Sequence, residues 1–188
     1  KEGWANALIF GLETWFSGGD VKFDDSKVRP YGSRLNTMGG RASGPEPLRA
    51  LLNFVREKIL SRQGKRLLPI NVHDIICMTG TAIQMGGVRR SAELSLSDLD
   101  SIEMRQAKWG QFFTTHPYRT MANNSAVYME KPDSAKFLDE WIALIRSQSG
   151  ERGIFNRGGL KHQLPERRWK LFEPHLMFCG TNPCGEII

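Results

Sequence analysis

The chain has 188 residues, 40% of them apolar and 24% charged, a balance that excludes a disordered, collagen-like or membrane-spanning polypeptide and describes a soluble globular domain or part of one. A chain of this length buries roughly 70% of the surface its unfolded form exposes, so its core needs neither disulfides nor metals, and three cysteines, an odd count, argue against a secreted disulfide scaffold and for a reducing cytoplasm. Twenty-six Lys and Arg against twenty Asp and Glu give a net charge of +6, which suits a polyanionic partner such as a nucleotide or nucleic acid as well as it suits a solvated basic surface.

Trp4, Leu8, Leu12 and Trp15 recur at near-helical spacing and predict a first helix, ended by the turn residues Ser17-Gly18-Gly19-Asp20. A polar connection through Arg29-Pro30-Tyr31-Gly32 leads to the Gly-rich stretch from Gly39 to Pro47. Leu48, Leu51, Leu52, Val55 and Ile59 then define an amphipathic helix. Ser43 and Glu46 have capping-box spacing, and Pro45 suits the first turn; the alternative use of that turn is to hold a phosphate on its free N–H groups.

Val72, Ile75, Ile76, Thr79 and Ile83 mark a further helix ending at Gly86-Gly87, with Cys77 on its flank as a small buried thiol. A strand is predicted over Val88 to Leu96, alternating from Ala92 onward, and a polar helix from Ser97 to about Phe113. Asn123-Asn124-Ser125 leads into a short strand over AVYM, and Pro132-Asp133-Ser134 opens a helix carrying Phe137, Leu138, Trp141, Ile142 and Ile145. A third strand is read in GIFNR from Gly153, followed by a long exposed connection from Arg157 to Pro174 and then LMFC. Helices that separate short apolar strands predict an α/β fold with crossover connections. No apolar run approaches the ~20 residues of a membrane span, and the start at Lys1 and the stop in apolar CGEII read as a piece of a longer protein.

The last residues carry the chemistry. In an extended segment Asn182, Cys184 and Glu186 present an amide, a thiol and a carboxylate on one side, but fully straight the outer two would stand ~13 Å apart, too far to share one small ring. The loop must therefore curve, and Pro183 and Gly185 suit that curvature. A thiolate nucleophile wants a cationic or histidine neighbour, and Glu186 does the opposite, with His175 the nearest histidine in sequence. Hydrogen-atom chemistry needs no thiolate. A protonated thiol beside a carboxylate base suits radical chemistry on a polyhydroxylated substrate; the bland alternative is a turn punctuated by Asn-Pro and Cys-Gly.

NPCGE resembles the active-site finger loop of ribonucleotide reductases. GWANALI, VRPYG, GGRASGPEPL, GGVRRSAELSL, ANNSAV and GERGIFN are similar, in the same order, to the monomeric adenosylcobalamin-dependent (class II) branch that reduces ribonucleoside triphosphates. The resemblance implies a ten-stranded α/β barrel, of which residues 1–188 form a central portion incomplete at both ends. Within it, residues 86–91 belong to the specificity-loop region and 181–188 start the finger loop. It implies Cys184 as the thiyl radical that removes the ribose 3′ hydrogen, with the radical generated from adenosylcobalamin. Glu186 accepts the 3′-hydroxyl proton and Asn182 hydrogen-bonds the sugar. The family's reducing cysteine pair is not identifiable here, so the isolated chain is expected not to turn over. Cys179 departs from the family pattern and is read as an unreactive thiol.

GGVRRS, residues Gly86, Gly87, Val88, Arg89, Arg90 and Ser91, resembles the loop that connects a deoxyribonucleoside triphosphate effector to the substrate base. Arginines at neighbouring strand positions would face opposite sides, one toward substrate and one toward effector. The implied partners are ribonucleoside triphosphates, these effectors and a thioredoxin-like dithiol reductant, with no membrane and no stable nucleic-acid complex. Alternatives are a diphosphate-reducing or metal-radical reductase, a non-catalytic nucleotide- or RNA-binding module, and a cysteine hydrolase, which needs a histidine base near Cys184.

Overall fold

The computed structural model describes residues 2–36, 39–83, 91–185 and 187. The chain divides into two compact units, Lys1–Ser91 and Ala92–Ile188.

The first unit is helical. Helix α1 (Glu2–Phe16) packs on α2 (Glu46–Leu60), and α2 packs on α3 (Pro69–Ala82). The core of this layer is Trp15, Leu48, Leu51, Leu52, Val55, Ile59 and Ala82, the 3.6-residue pattern of α2 turned inward. Cys77 is wholly buried, its sulfur 3.7 Å from Nε2 of His73.

The capping box expected of Ser43 and Glu46 is not formed. Gly44 has a φ of +79°, so the helix starts two residues later, with Pro45 at its N-cap and no side-chain capping bond. Glu46 is left in the first turn, where its charge complements the helix dipole. Before it, the chain folds back on itself: Ala42 donates to the carbonyl of Ser33, and Gly32 to that of Ala42. Helix α3 is assigned as far as Ala82, and the predicted stop at Gly86-Gly87 lies outside the described residues.

The second unit is built on three parallel strands in the order β1 (Glu93–Ser97), β2 (Ala122–Val127) and β3 (Gly153–Phe155). Leu94 pairs with Asn123, Leu96 with Ser125, and Val127 with Phe155. The first crossover carries α4 (Ile102–Arg105), α5 (Phe112–Thr115) and a 3-10 turn over Pro117–Met121, and the second carries α6 (Ser134–Ser147). Beyond β3 come α7 (Leu160–Gln163), α8 (Glu166–Phe172) and a 3-10 helix over Glu173–Phe178. Among the described residues no helix is long and apolar enough to cross a membrane.

Three expectations change here. The polar helix of 97–113 is broken into α4 and α5, because the carbonyls of Asp98 and Leu99 accept from Arg152 and Gly110 sits at a φ of +62°. Strand β2 starts before AVYM and includes Asn123-Asn124-Ser125. The stretch from Arg157 to Pro174 is largely helical, with Pro165 at the N-cap of α8.

Helix α6 starts as its sequence predicts, the Asp133 carboxylate accepting the Lys136 N–H at 2.9 Å. Its most apolar residues do not form the buried stripe. Leu138, Trp141, Ile142 and Ile145 are exposed, whereas Glu140, Ala143 and Ser147 are buried. The cause is a charge cluster. Glu140 accepts two bonds from Arg152, at 2.8 and 3.1 Å, and one from Arg105 at 2.6 Å. Arg152 also donates to Ser97 Oγ and to the Asp98 and Leu99 carbonyls. Tyr128 stands against this cluster, and burial with the nearby Glu140 charge raises its phenol above the usual range. The neighbouring residue of Arg152, Glu151, receives Lys108 at 2.9 Å and the backbone N–H of Asn124 at 2.8 Å.

Candidate active site

Alternation along β2 separates two environments. Ala122, Asn124 and Ala126 are buried on one face, the side of Tyr128 and α6. Asn123 and Ser125, paired with Leu94 and Leu96, point to the other. The terminal segment crosses that second face. Arg157, just past β3, donates from Nε to the carbonyl of Cys179 at 2.8 Å. Gly180 lies against Leu96 of β1, where an added Cβ would come within 3.1 Å of the leucine methyl. Asn123 of β2 donates from Nδ2 to the carbonyl of Pro183 at 2.7 Å.

The curvature argued from Pro183 and Gly185 is present as a closed turn. The carbonyl of Asn182 accepts from Gly185 N–H at 2.9 Å, and Asn182 N–H donates to the carbonyl of Ile187 at 3.0 Å. The Asn182 side chain adds a third closure, its Oδ1 accepting from Ile187 N–H at 3.0 Å. Gly185 adopts a φ of +80°, a left-handed conformation that a residue with a Cβ takes only under strain. Cys184 sits within this turn, and its side chain is exposed.

Asn182 and Cys184 are thus brought into one loop. Asn182 is already half committed: Oδ1 closes the turn, which leaves Nδ2 to meet a ligand. Glu186 lies outside the described residues, as do Gly86, Gly87, Val88, Arg89 and Arg90. Ser91 is held at the end of α3, donating from Oγ to the carbonyl of Gly80 at 3.0 Å.

Of the other two thiols, Cys77 is fully buried and Cys179 is buried with its Sγ directed at the carbonyl of His175, 3.4 Å away. A thiol occupied in this way fits the reading of Cys179 as unreactive. No described hydrogen bond joins His175 to Cys184. Among the described residues no group of three His, Cys, Asp or Glu side chains is arranged to hold a metal ion. Sequence reasoning missed two residues, Asn123 and Arg157. Their contacts span 60 and 22 positions, so that even Asn123, which falls within ANNSAV, gives no local sign of its partner.

No protein-family model matches the chain. It is similar over its whole length to a protein of Lactobacillus leichmannii named adenosylcobalamin-dependent ribonucleoside-triphosphate reductase, 35% identical over 198 aligned residues, which make up 25% of that protein. A protein of the same name from Euglena gracilis is 33% identical over 132 residues, 68% of this chain and 18% of the relative. The chain therefore spans about a quarter of the length of the first of these. Among solved structures, a B12-dependent (class II) ribonucleotide reductase superposes on 85% of the chain and 21% of its own length with a TM-score of 0.59 and 30% identity.

Proposed function

Given that the chain belongs to the ribonucleotide reductase family, we propose that it is the central portion of an adenosylcobalamin-dependent enzyme reducing ribonucleoside triphosphates to 2′-deoxyribonucleoside triphosphates. Residues 1–188 would contribute part of a ten-stranded α/β barrel, with residues 181–188 starting its finger loop and 86–91 its specificity loop. The observation that carries this reading is the exposed thiol of Cys184 on a closed turn, bonded to the sheet face opposite α6. Such a turn holds a reactive atom still while leaving it accessible. Three cysteines, an odd count, suit a reducing cytoplasm.

When bound, adenosylcobalamin supplies the radical by homolysis of its cobalt–carbon bond. The described residues fit the receiving end of that chemistry, an accessible thiol, and no residue of the chain is assigned to hold the corrin. Cys184, as the thiyl, takes the hydrogen atom from the ribose 3′ carbon. Asn182 donates from Nδ2 to a sugar hydroxyl, since its Oδ1 is engaged within the turn. Glu186 accepts the 3′-hydroxyl proton, and the 2′-hydroxyl departs as water with a proton from the dithiol pair; Cys184 and Glu186 then return the hydrogen atom and the proton to the 3′ position. The two electrons needed at the 2′ carbon come from a dithiol pair recharged by a thioredoxin-like reductant. Neither buried thiol of this chain, Cys77 nor Cys179, is offered for that role.

The test is dithiol-dependent reduction of the four ribonucleoside triphosphates by the complete enzyme, with and without adenosylcobalamin. Cobalamin-dependent product supports the reading. Activity only with diphosphates, or only with a separate radical-generating subunit, keeps the family and replaces the branch; salt-sensitive RNA binding without reduction replaces the enzyme by a binding module. Glu186→Gln is expected to lower kcat by at least about 10²-fold, the contribution of a positioned carboxylate base, with nucleotide binding retained in equilibrium dialysis.

The basic specificity loop gives a separable expectation. Arg89→Ala or Arg90→Ala should weaken the effector's influence on substrate choice by about 5-fold or more, the range of an ordinary coupling free energy, and spare the radical step itself. The measurement is the ratio of product formed from competing substrates with each deoxyribonucleoside triphosphate effector. Equal loss with all four substrates and an intact effector response would contradict it.

A further inference from the structure

Asn123 lies on β2 as the partner of Leu94, and its side chain is exposed to the sheet face that the terminal segment crosses. Asparagine is a poor strand former. Its presence within a central strand of the sheet calls for a use of the amide, and one is visible: Nδ2 donates to the carbonyl of Pro183 at 2.7 Å. Pro183 immediately precedes Cys184. Its ring fixes φ, so a bond that holds its carbonyl also fixes the direction in which the chain enters Cys184. The turn closes on itself through Asn182, Gly185 and Ile187, which sets its shape but not its position on the sheet. Among the described hydrogen bonds, the one from Asn123 ties the turn to a strand.

We propose that Asn123 is a positioning residue for the Cys184 thiol, acting through the Pro183 carbonyl. The proposal rests on the reading of Cys184 as the reacting group. Misplacement of a reacting atom by about 1 Å can cost on the order of 10²-fold in rate, and of the described ties between the terminal segment and the sheet, this one lies next to Cys184. A residue that acts through the Pro183 carbonyl is expected to affect turnover and not nucleotide binding.

The experiment uses the complete enzyme carrying Asn123→Ala and, separately, Asn123→Asp, which keeps the shape of the side chain but removes the donor and sets a carboxylate against a carbonyl. Both variants should lose about 10- to 100-fold in kcat, with KM for the ribonucleoside triphosphate within about threefold of wild type. Independently of turnover and of cofactor, the rate at which iodoacetamide alkylates Cys184, followed by mass spectrometry of its peptide, should rise several-fold as the turn loosens. A kcat within twofold of wild type overturns the proposal, as does a fall in kcat with an unchanged alkylation rate. Failure of both variants to fold would make Asn123 a stability residue and overturn it too. A Cys184→Ser enzyme that remains active would instead remove the reading on which the proposal stands.

Discussion

Replacing Cys184 by serine in the complete enzyme is expected to abolish ribonucleotide reduction, a loss on the order of 10⁴-fold or more, with thermal stability changed by no more than about 0.5 kcal/mol. The two halves of this expectation have different causes. Serine keeps the size of the side chain and its exposure, but an alkoxyl radical is far harder to form than a thiyl, so the hydrogen-atom step has no carrier. Stability is spared because the Cys184 side chain is exposed, and the turn is held by Asn182, Gly185 and Ile187. Deoxynucleotide formation and a thermal melt of the same preparation check both halves. An active Cys184→Ser enzyme would return the terminal loop to an ordinary Asn-Pro/Cys-Gly turn.

Glu140→Ala should destabilise the protein by about 3–5 kcal/mol, the cost of removing one partner from a buried ion cluster. Glu140 is 7% exposed and Arg152 is 5% exposed, so neither charge is solvated by water. Removal of the carboxylate leaves Arg152 and Arg105 facing each other, both also bonded to the carbonyl of Leu99. The same two arginines fix the chain after β1, so the damage should reach the sheet and not stop at α6. Urea denaturation of the complete protein measures it. Glu140→Gln, which retains an acceptor for Arg152, should lose less than Glu140→Ala; equal losses would show that charge and not hydrogen bonding dominates.

The elements that sequence reasoning reached are those whose signal is local. Helices α1, α2, α3 and α6 follow their apolar spacing, and Asp133 caps α6 as its position before the helix suggests. What was misread depends on partners remote in the chain. Asn123-Asn124-Ser125 has the composition of a turn, yet it is strand because each residue is engaged across the unit: Asn123 with Pro183, the Asn124 N–H with Glu151, and Ser125 opposite Gly153. The segment after β1 looks helical, but its carbonyls are taken by arginines up to 54 positions away. The buried stripe of α6 was hidden for the same reason, since a glutamate becomes a core residue only when two arginines arrive.

The site divides along the same line. The need for a curved loop around Cys184 was legible because Pro183 and Gly185 state it locally. That Asn182 spends its carbonyl oxygen on Ile187 was not, because an asparagine amide looks equally free to serve a ligand in any loop. Arg157 carries no motif of its own, and Asn123, although it falls within ANNSAV, has nothing local that states its bond to Pro183.

The bond between Asn123 and Pro183 joins residues 60 positions apart, and it also fixes an order of events during folding. Loop closure grows only slowly more costly with length, so distance along the chain is not the main obstacle. The constraint is sequential: Asn123 is correctly aimed only after β2 has found its place between β1 and β3, and parallel pairing of this kind forms slowly. The terminal turn can close early from its own residues, but it docks late. A newly made or partly unfolded chain would therefore carry Cys184 on an undocked turn, and under the proposed role its thiol would reach a working position only once the sheet is complete.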